Sequence, residues 1–259
     1  YNNAPRGIIY DRNGFPIVGN NPIYDLKFIP VDITDNFNYH LLSVLIDMNE
    51  DSLKNKISRN KKNFKKFNPV LLKRHIPLDT MSMIQEYKLD FPGLFFSEFP
   101  AREYPSSIIT ETDTVNARAT HVLGYLSEVP AGSLNENACN IEYKLGDLLG
   151  KTGIEKVYEC ELRGEDGIEY HLYDVQGLDH GIYDLEENIA AINGNDLHLT
   201  IDLRLQEYAE SFKDSTKFIY DSTRASIIIM EPKTGDVLTM ASFPDFDLKL
   251  YTGFIPEKI

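Results

Sequence analysis

The 259-residue sequence has a formal net charge of −14, from 26 Lys and Arg against 40 Asp and Glu. Such an acidic chain is a poor nucleic-acid partner, because a phosphate backbone is bound by basic surfaces. Apolar residues make up 42% of the chain, enough for one large domain or two ordinary ones. The two cysteines and six scattered histidines lack metal-ligand spacing, so we expect neither a metal nor a cofactor.

The N-terminal stretch RGIIYDRNGFPIVGN predicts a β-hairpin. Its strands cover residues 7–10 and 15–18, and Asn13-Gly14 between them tolerates a positive φ. Hydrophobic periodicity then predicts the elements of the first half of the chain. They are a strand at 23–29, a helical segment at 37–48, a strand at 70–75, a helix at 80–88 and strands around 94–99.

The second half begins with a short helix that ends at Gly124. Glycine-marked turns and apolar spacing predict the elements that follow it. They are a helix at 153–162, a strand-rich segment at 167–200, a helix at 201–212, and strands at 225–230 and 237–243 around a turn at 232–236. The strand at 225–230 is expected to be buried. Near Gly194 the predicted elements change from a strand-rich segment to a helix followed by two strands, and we place a domain boundary there.

Charge and cysteine usage suggest further features. Residues 54–74 hold nine Lys or Arg and no acid, whereas residues 155–187 hold eleven acids and two basic residues. A solvated face explains each run, and a docking or membrane-surface patch is the alternative. Cys139 and Cys160 make no disulfide framework, and two unlinked thiols are favoured over a bridge between them.

No stretch of the sequence approaches the roughly 18 apolar residues of a membrane span, and no signal peptide is found. The chain begins at Tyr1 rather than Met. We therefore expect a fragment or a mature form, whose ends need not be the natural ones.

Three motifs, taken together, suggest a serine acyl-transfer site. They are Ser58-x-x-Lys61, Ser133-x-Asn135 and Lys151-Thr152-Gly153. A nucleophilic Ser needs a desolvated Lys at a helix start, yet Ser58 and Lys61 lie in the basic run. The Lys-Thr-Gly triplet precedes helical spacing instead of forming an edge strand. No phosphate loop or nucleophile elbow occurs, so we expect no catalytic residue in this chain.

Five segments in a fixed order carry a resemblance that spans residues 6–247. They are RGIIYDRNG, HVLGYLSEV, GKTGIEKVYECELRGEDG, LHLTIDLRLQEYAE and ASIIIMEPKTGDVLTMASFPDFD. The set resembles the class B penicillin-binding proteins, and among them the elongation-type penicillin-binding protein 2. In that family a membrane helix precedes the first segment, a non-catalytic pedestal follows it, and a transpeptidase domain opens at the segment like LTIDLRLQ.

The resemblance implies an α+β fold, in which an elongated pedestal of short strands and helices precedes an incomplete α/β fragment, a helix plus a β-hairpin. The implied domains are a pedestal or dimerisation domain, residues 1–195, and the truncated start of a transpeptidase domain, residues 196–259. The anchor helix and the catalytic Ser-x-x-Lys would lie outside this chain.

The resemblance also implies a function. The parent would be a serine-type D,D-transpeptidase that attacks the D-Ala-D-Ala of a peptidoglycan stem peptide and passes the acyl group to an amine. The pedestal would position the catalytic domain and contact a SEDS-family lipid II polymerase and other elongation-complex proteins. The implied location is the periplasmic side of the bacterial inner membrane, held by the anchor helix.

Two sets of residues are candidates for these roles. Candidates for structural or partner contacts lie in the hairpin: Arg6, Gly7, Asp11, Arg12, Asn13 and Gly14. Side chains of the Arg, Tyr and Phe type often anchor a partner. Candidate hinge positions lie in the last part of the implied pedestal, which leads to the start of the transpeptidase domain: Gly164, Gly167, Gly177, Gly181 and Gly194.

Two other functions stay open. One is a secreted enzyme whose active site differs from the motifs above. The other is a secreted α+β module that binds a solute or a peptide, which would require a cavity of small-molecule size.

Overall fold

The structure is a computed structural model, and its chain divides into two compact units. It describes residues 3–62, 67–105, 107–110, 114–116, 119–129, 139, 143, 147–173, 179–183, 187–212 and 224–251. The first unit comprises residues 1–3, 22–100 and 167–190, and the second comprises residues 4–21, 101–166 and 191–259. Both mix helices and strands, which confirms the predicted α+β class. The units do not follow sequence order, so the domains 1–195 and 196–259 stay a prediction.

The first unit packs helices against strands. Its helices are α1 (Tyr39–Leu45), α2 (Glu50–Lys61) and α3 (Leu78–Glu86). Its strands are the later part of β2 (Pro16–Phe28), β3 (Val70–Ile76), the first part of β4 (Leu94–Glu103), β9 (His171–Tyr173) and β10 (Asp179–Ile182). β3 and β4 each pair with β2, β3 in antiparallel register, and β9 pairs with β10. Leu26, Phe28, Leu42, Leu53 and Phe91 lie in the core.

Helix starts in the first unit follow simple capping chemistry. Asn38 and Asn49 each accept a main-chain N–H of the first turn through the side-chain oxygen, at the starts of α1 and α2. Such caps satisfy donors that have no partner inside a helix. The strand predicted at 23–29 is correct in position, but it is not separate, because β2 continues without a break from Pro16.

The basic run from residue 54 to residue 74 is partly turned inward. Three of its lysines donate to main-chain carbonyl oxygens of the first unit. The pairs are Lys56 with Leu72, Lys61 with Ile33 and Lys73 with Ile46. These cations satisfy buried acceptors. The docking or membrane-surface alternative stays a prediction for the rest of the run.

The second unit starts with the N-terminal hairpin. Its strands are β1 (Ile9–Tyr10), the first part of β2, the last part of β4, β5 (Ile108–Ile109), β6 (Thr114–Val115), β7 (Leu126–Glu128), β8 (Leu148–Gly150), β11 (Leu197–His198), β12 (Ala225–Met230) and β13 (Val237–Phe243). Its helices are α4 (Thr120–Leu123), α5 (Gly153–Val157), α6 (Glu159–Leu162) and α7 (Leu203–Ser211).

The core of the second unit joins residues that are distant in sequence. Ile9, Val18, Leu123, Leu162 and Leu203 belong to one buried cluster. β1 pairs with β2 in antiparallel and with β11 in parallel orientation, so the hairpin carries a third strand from residues 197–198. The segment LTIDLRLQ, residues 199–206, therefore contributes to this core through Leu203.

The C-terminal elements agree with their predicted positions, with one correction. β12 and β13 form the predicted antiparallel hairpin. β12 is not a buried strand, because its residues alternate between half-buried and exposed, with Ile228 58% and Met230 53% exposed. No helix in the described part of the chain has the length and the apolar character to cross a membrane.

The Asn13-Gly14 turn gives a first test. Gly14 has a φ of +85°, and a Cβ added there would meet no neighbouring atom within 4 Å. Gly14→Val should therefore destabilise by roughly 1–3 kcal/mol through backbone strain alone. Denaturant unfolding measures this cost. Gly19→Val is the matched control, because Gly19 lies in β2, is equally free of contacts and has no positive φ. Equal stability of the two variants would contradict the turn.

Candidate functional site

A buried group of charges lies beneath the N-terminal hairpin in the second unit. Arg6 donates from Nε to Oε2 of Glu155 at 2.7 Å, and from Nη2 to Oε2 of Glu159 at 2.6 Å. Nη2 also donates to the main-chain oxygen of Glu155 at 3.0 Å. Burial alone would lower the pKa of Arg6, but Glu155 and Glu159 outweigh it, and the net pKa is raised. Arg6 is therefore a fixed cation.

Arg102, at the end of β4, approaches the same carboxylate from another strand. Its Nε donates to Oε1 of Glu155 at 2.7 Å, and its Nη1 donates to the main-chain oxygen of Gly7 at 2.7 Å. Glu155 is fully buried between the two guanidinium groups, with one oxygen for each. Removing one partner of a buried pair leaves an uncompensated charge, so the three residues depend on each other.

Two tyrosines border the charges. The hydroxyl of Tyr104 lies 3.5 Å from Oε1 of Glu155, and the hydroxyl of Tyr143 donates to Oε1 of Glu159 at 3.3 Å. Burial raises the pKa of both phenols, and the neighbouring carboxylate raises each further. Both tyrosines therefore remain neutral donors. We call Arg6, Arg102, Glu155, Glu159, Tyr104 and Tyr143 the buried charge network.

The GKTGIE stretch builds this network. The N–H of Gly150 donates to Oε2 of Glu159 at 3.0 Å. A Cβ at Gly150 would lie 2.0 Å from the oxygen of Glu155, and Gly153 has a φ of +60°. Both positions therefore require glycine. Lys151-Thr152-Gly153 thus forms the turn into α5, which agrees with the interpretation that it is not an active-site strand.

The other members of the apparent acyl-transfer set show no catalytic geometry. Ser58 is exposed in the last turns of α2, far from a helix start, and Lys61 donates to the oxygen of Ile33 at 2.6 Å. The Lys is therefore not available as a base for Ser58. Ser133 and Asn135 lie outside the described residues.

Ser58 should accordingly form no acyl adduct. We expect the intact mass of the chain to show no gain at Ser58 after incubation with a reactive penicillin, because the hydroxyl lacks a base. Peptide mapping by mass spectrometry locates any adduct. Ser52→Ala is the matched control for Ser58→Ala, since both hydroxyls are exposed on α2. A stoichiometric mass gain lost only in Ser58→Ala would overturn this interpretation.

The hairpin itself is tied to the segment at 196–203. Asp11 is fully buried and accepts the N–H groups of Asn13 at 2.8 Å and Phe15 at 2.9 Å. The N–H of Ile8 donates to Oδ1 of Asp196 at 2.7 Å, and the N–H of Arg12 donates to the oxygen of Ile201 at 3.0 Å. Asp11 therefore fixes the turn, while the flanking main chain fixes the next segment.

The structure divides the six hairpin candidates into two groups. Arg6, Gly7 and Asp11 are buried, and a Cβ at Gly7 would lie 1.8 Å from the oxygen of Asn195. These three have structural contacts inside the second unit. The exposed three are Arg12, Asn13 and Gly14. Contact with a partner through them stays a prediction.

The hinge candidates also differ among themselves. A Cβ at Gly164 would lie 2.5 Å from the oxygen of Ile192, and one at Gly194 would lie 1.8 Å from the oxygen of Leu162. Close packing is a sufficient reason for glycine at both. Gly167 is buried, Gly181 has a φ of +94°, and Gly177 lies outside the described residues. Hinge motion at these positions stays a prediction.

The expectation of two unlinked thiols was wrong. Cys139 and Cys160 form a disulfide, with Cα atoms 5.2 Å apart. The count and the spacing of 21 residues gave no signal, since Cys139 and Cys160 of α6 meet only in the folded chain. Sequence reasoning also missed Arg102, Glu155 and Glu159. The four-residue spacing of the two acids after GKTG was the available signal, because such residues share a helical face.

The first unit contains a separate apolar pocket of about 210 Å³. Its wall is formed mainly by Ile84, Phe91, Leu94, Phe95 and Phe96, with Lys88 beside them. Leu89 follows Lys88 and is 97% exposed. Leu89 does not itself line the pocket, and a singly exposed leucine is common on protein surfaces.

Glu155 gives the sharpest test of the buried charge network. Glu155→Gln should destabilise by roughly 3–5 kcal/mol, because two guanidinium groups lose the charge that offsets their burial. Denaturant unfolding measures the difference. Glu161→Gln is the matched control, since Glu161 lies in the adjacent helix α6 but is exposed. Stabilities of the two variants within about 0.5 kcal/mol of each other would contradict the network.

Comparison with known proteins places this arrangement in a family. Residues 1–199 match the family model of the penicillin-binding protein dimerisation domain. The peptidoglycan D,D-transpeptidase MrdA of Salmonella typhimurium is 32% identical over 247 residues, covering 93% of this chain and 36% of the relative. MrdA of Escherichia coli K12 is 29% identical over 258 residues, covering 98% and 37%. The chain thus spans little more than a third of these relatives.

Solved structures agree on the fold. Penicillin-binding protein 2 of Helicobacter pylori, in a complex with MreC, superposes with a TM-score of 0.68 at 22% identity, covering 98% of this chain and 44% of that one. The same protein without MreC gives a TM-score of 0.64 at 24% identity, covering 99% and 45%. The chain belongs to the class B penicillin-binding proteins of the penicillin-binding protein 2 type, and it carries their dimerisation domain.

Proposed function

We propose that this chain is the pedestal of a peptidoglycan D,D-transpeptidase and holds the catalytic domain in position during cell-wall elongation. One observation carries the proposal. The N-terminal hairpin, the GKTGIE stretch and residues 197–203 share one core and one set of hydrogen bonds in the second unit. A domain that begins at residue 196 would therefore start from a fixed platform.

In the proposed parent, a catalytic serine attacks the carbonyl between the two D-Ala residues of a stem peptide. The terminal D-Ala leaves, and an amine of a neighbouring strand takes the acyl group. The pedestal would not touch the reacting atoms. Its contribution would be the direction in which the catalytic domain leaves the pedestal, set by the pairing of β1 with β11. Orientation of this kind can control whether a reaction proceeds.

We further propose that the pedestal contacts a SEDS-family lipid II polymerase and other elongation-complex proteins. The complex of Helicobacter pylori penicillin-binding protein 2 with MreC supports a partner of this class. The apolar pocket of the first unit supplies a surface that could take an apolar side chain of such a partner, and the exposed Leu89 follows the lining residue Lys88 in sequence. Separate capture of each candidate partner distinguishes the polymerase from another protein at this pocket.

The proposed location is the periplasmic side of the inner membrane. The Cys139–Cys160 disulfide supports this location independently of the resemblance. Disulfides persist in oxidising compartments such as the bacterial periplasm and are rare in the cytosol.

Neither alternative function is supported as well. The pocket of the first unit measures about 210 Å³, smaller than the roughly 300–1,000 Å³ typical of a small-molecule site. This pocket by itself gives no support to a solute-binding module. A secreted enzyme would need another nucleophile, since Ser58 has no base in the structure.

A test of the proposal separates partner contact from acyl transfer. In the full-length protein, Leu89→Asp should reduce co-purification of the elongation partner by about tenfold, because a charge replaces an apolar contact. Labelling by a fluorescent penicillin should be unchanged. Val157→Asp is the matched control, since Val157 is 74% exposed on α5 of the other unit. Capture of the polymerase and of the MreC-like protein is measured separately.

The outcomes of this test are distinct. Loss of either partner in Leu89→Asp but not in Val157→Asp supports a partner contact at Leu89. Full retention of both partners in Leu89→Asp would contradict a partner contact at Leu89. A full-length protein that takes no penicillin label in any variant would contradict the transpeptidase parent itself.

A further inference from the structure

The disulfide closes a ring of chain that contains both acids of the buried charge network. Cys139 and Cys160 are 21 residues apart, and Glu155 and Glu159 lie between them. Glu159 is 3% exposed, whereas Cys160, the next residue, is on the surface. A dithiol reductant can therefore reach the bridge from solvent at Cys160, while the carboxylate of Glu159 stays buried.

Non-covalent contacts also hold Tyr143 and Asp147 against Arg163, the residue that follows α6. The guanidinium of Arg163 lies 4.3 Å from the ring centre of Tyr143, and its Nη2 donates to Oδ2 of Asp147 at 3.0 Å. The hydroxyl of Tyr143 donates to Glu159. Tyr143 thus links the bridged segment directly to the carboxylate that holds Arg6. We call Cys139, Tyr143 and Asp147 the tether.

We propose that the Cys139–Cys160 bridge makes the buried charge network sensitive to redox state. When the bridge is closed, the tether holds Tyr143 over Arg163 and against Glu159, and the network is complete. When the bridge is open, Tyr143 keeps its packing against Val129 and Leu149 and its polar contacts, but the tether loses its covalent attachment to α6. Arg6 and the hairpin then lose part of the support that reaches them through Glu159.

The chemistry is thiol–disulfide exchange with a protein or small-molecule disulfide. The thiolate of one cysteine attacks a sulfur of that disulfide, which forms a mixed disulfide and releases one thiolate. The second cysteine of the chain attacks the mixed disulfide and displaces the other thiolate. The chain loses two electrons and two protons, and the oxidant leaves as two thiols, which belong to one molecule when its disulfide was intramolecular. A dithiol reductant reverses the same steps.

The test compares the oxidised and reduced full-length protein. Alkylation and intact mass first establish that the oxidised form has no free thiol at these positions. Reduction should lower the Tm by about 5–10 °C, given the length of the closed loop and the size of the chain. Amide hydrogen exchange should become at least about fivefold faster in residues 6–10 and 150–162. Exchange in residues 70–86 of the first unit should not change.

A variant without the bridge is the control. Cys139→Ser with Cys160→Ser should match the reduced protein in Tm and in exchange, and a reductant should not change it. If that variant fails to fold, the oxidised and reduced wild type still decide the matter. Unchanged exchange at 6–10 and 150–162 after reduction would overturn the proposal. So would an equal acceleration at 70–86, since it would mean general unfolding.

Discussion

The carboxylate of Glu155, held between Arg6 and Arg102, is the constraint on which the second unit depends. It connects the residue before the hairpin, the end of β4 and the first turn of α5. Apolar packing alone would let these elements slide, because hydrophobic contact has no direction. A buried ion pair adds little net stability over apolar residues, but the cost of breaking it is large. We interpret its role as fixing one arrangement.

The local features of the chain follow from its sequence to a large extent. The hairpin at residues 9–18 and the pair β12–β13 were predictable, because period-two alternation and turn residues act over a few positions. The exposure of β12 was not, since the same alternation leaves open what covers its outer face. The joining of two predicted strands into β2 likewise depends on pairing with distant strands.

The site was less predictable than the fold. Arg6 and Asp11 were singled out through a resemblance, but their buried partners are up to 192 residues away in sequence. Nothing in the local pattern around residue 102 or residue 155 indicates that the two side chains meet. The disulfide was missed for the same reason. Contacts of this kind are set by the tertiary fold, where periodicity and composition carry no information.

The two units suggest a division of labour. The second unit carries the buried charge network and the core that includes residues 197–203, which suits a rigid platform. The first unit carries an apolar pocket and three lysines that donate to main-chain carbonyl oxygens. The proposed positioning role therefore has its support in the second unit, and the proposed partner contact in the first unit.

A double-mutant cycle between Arg6 and Glu155 tests the central claim most directly. The free energy of unfolding is measured for the wild type, Arg6→Met, Glu155→Gln and the double variant. If the pair fixes the second unit, the coupling free energy should reach about 1.5–3 kcal/mol, because each single variant leaves the other charge buried. A coupling free energy below about 0.5 kcal/mol, as found for independent sites, would contradict the account.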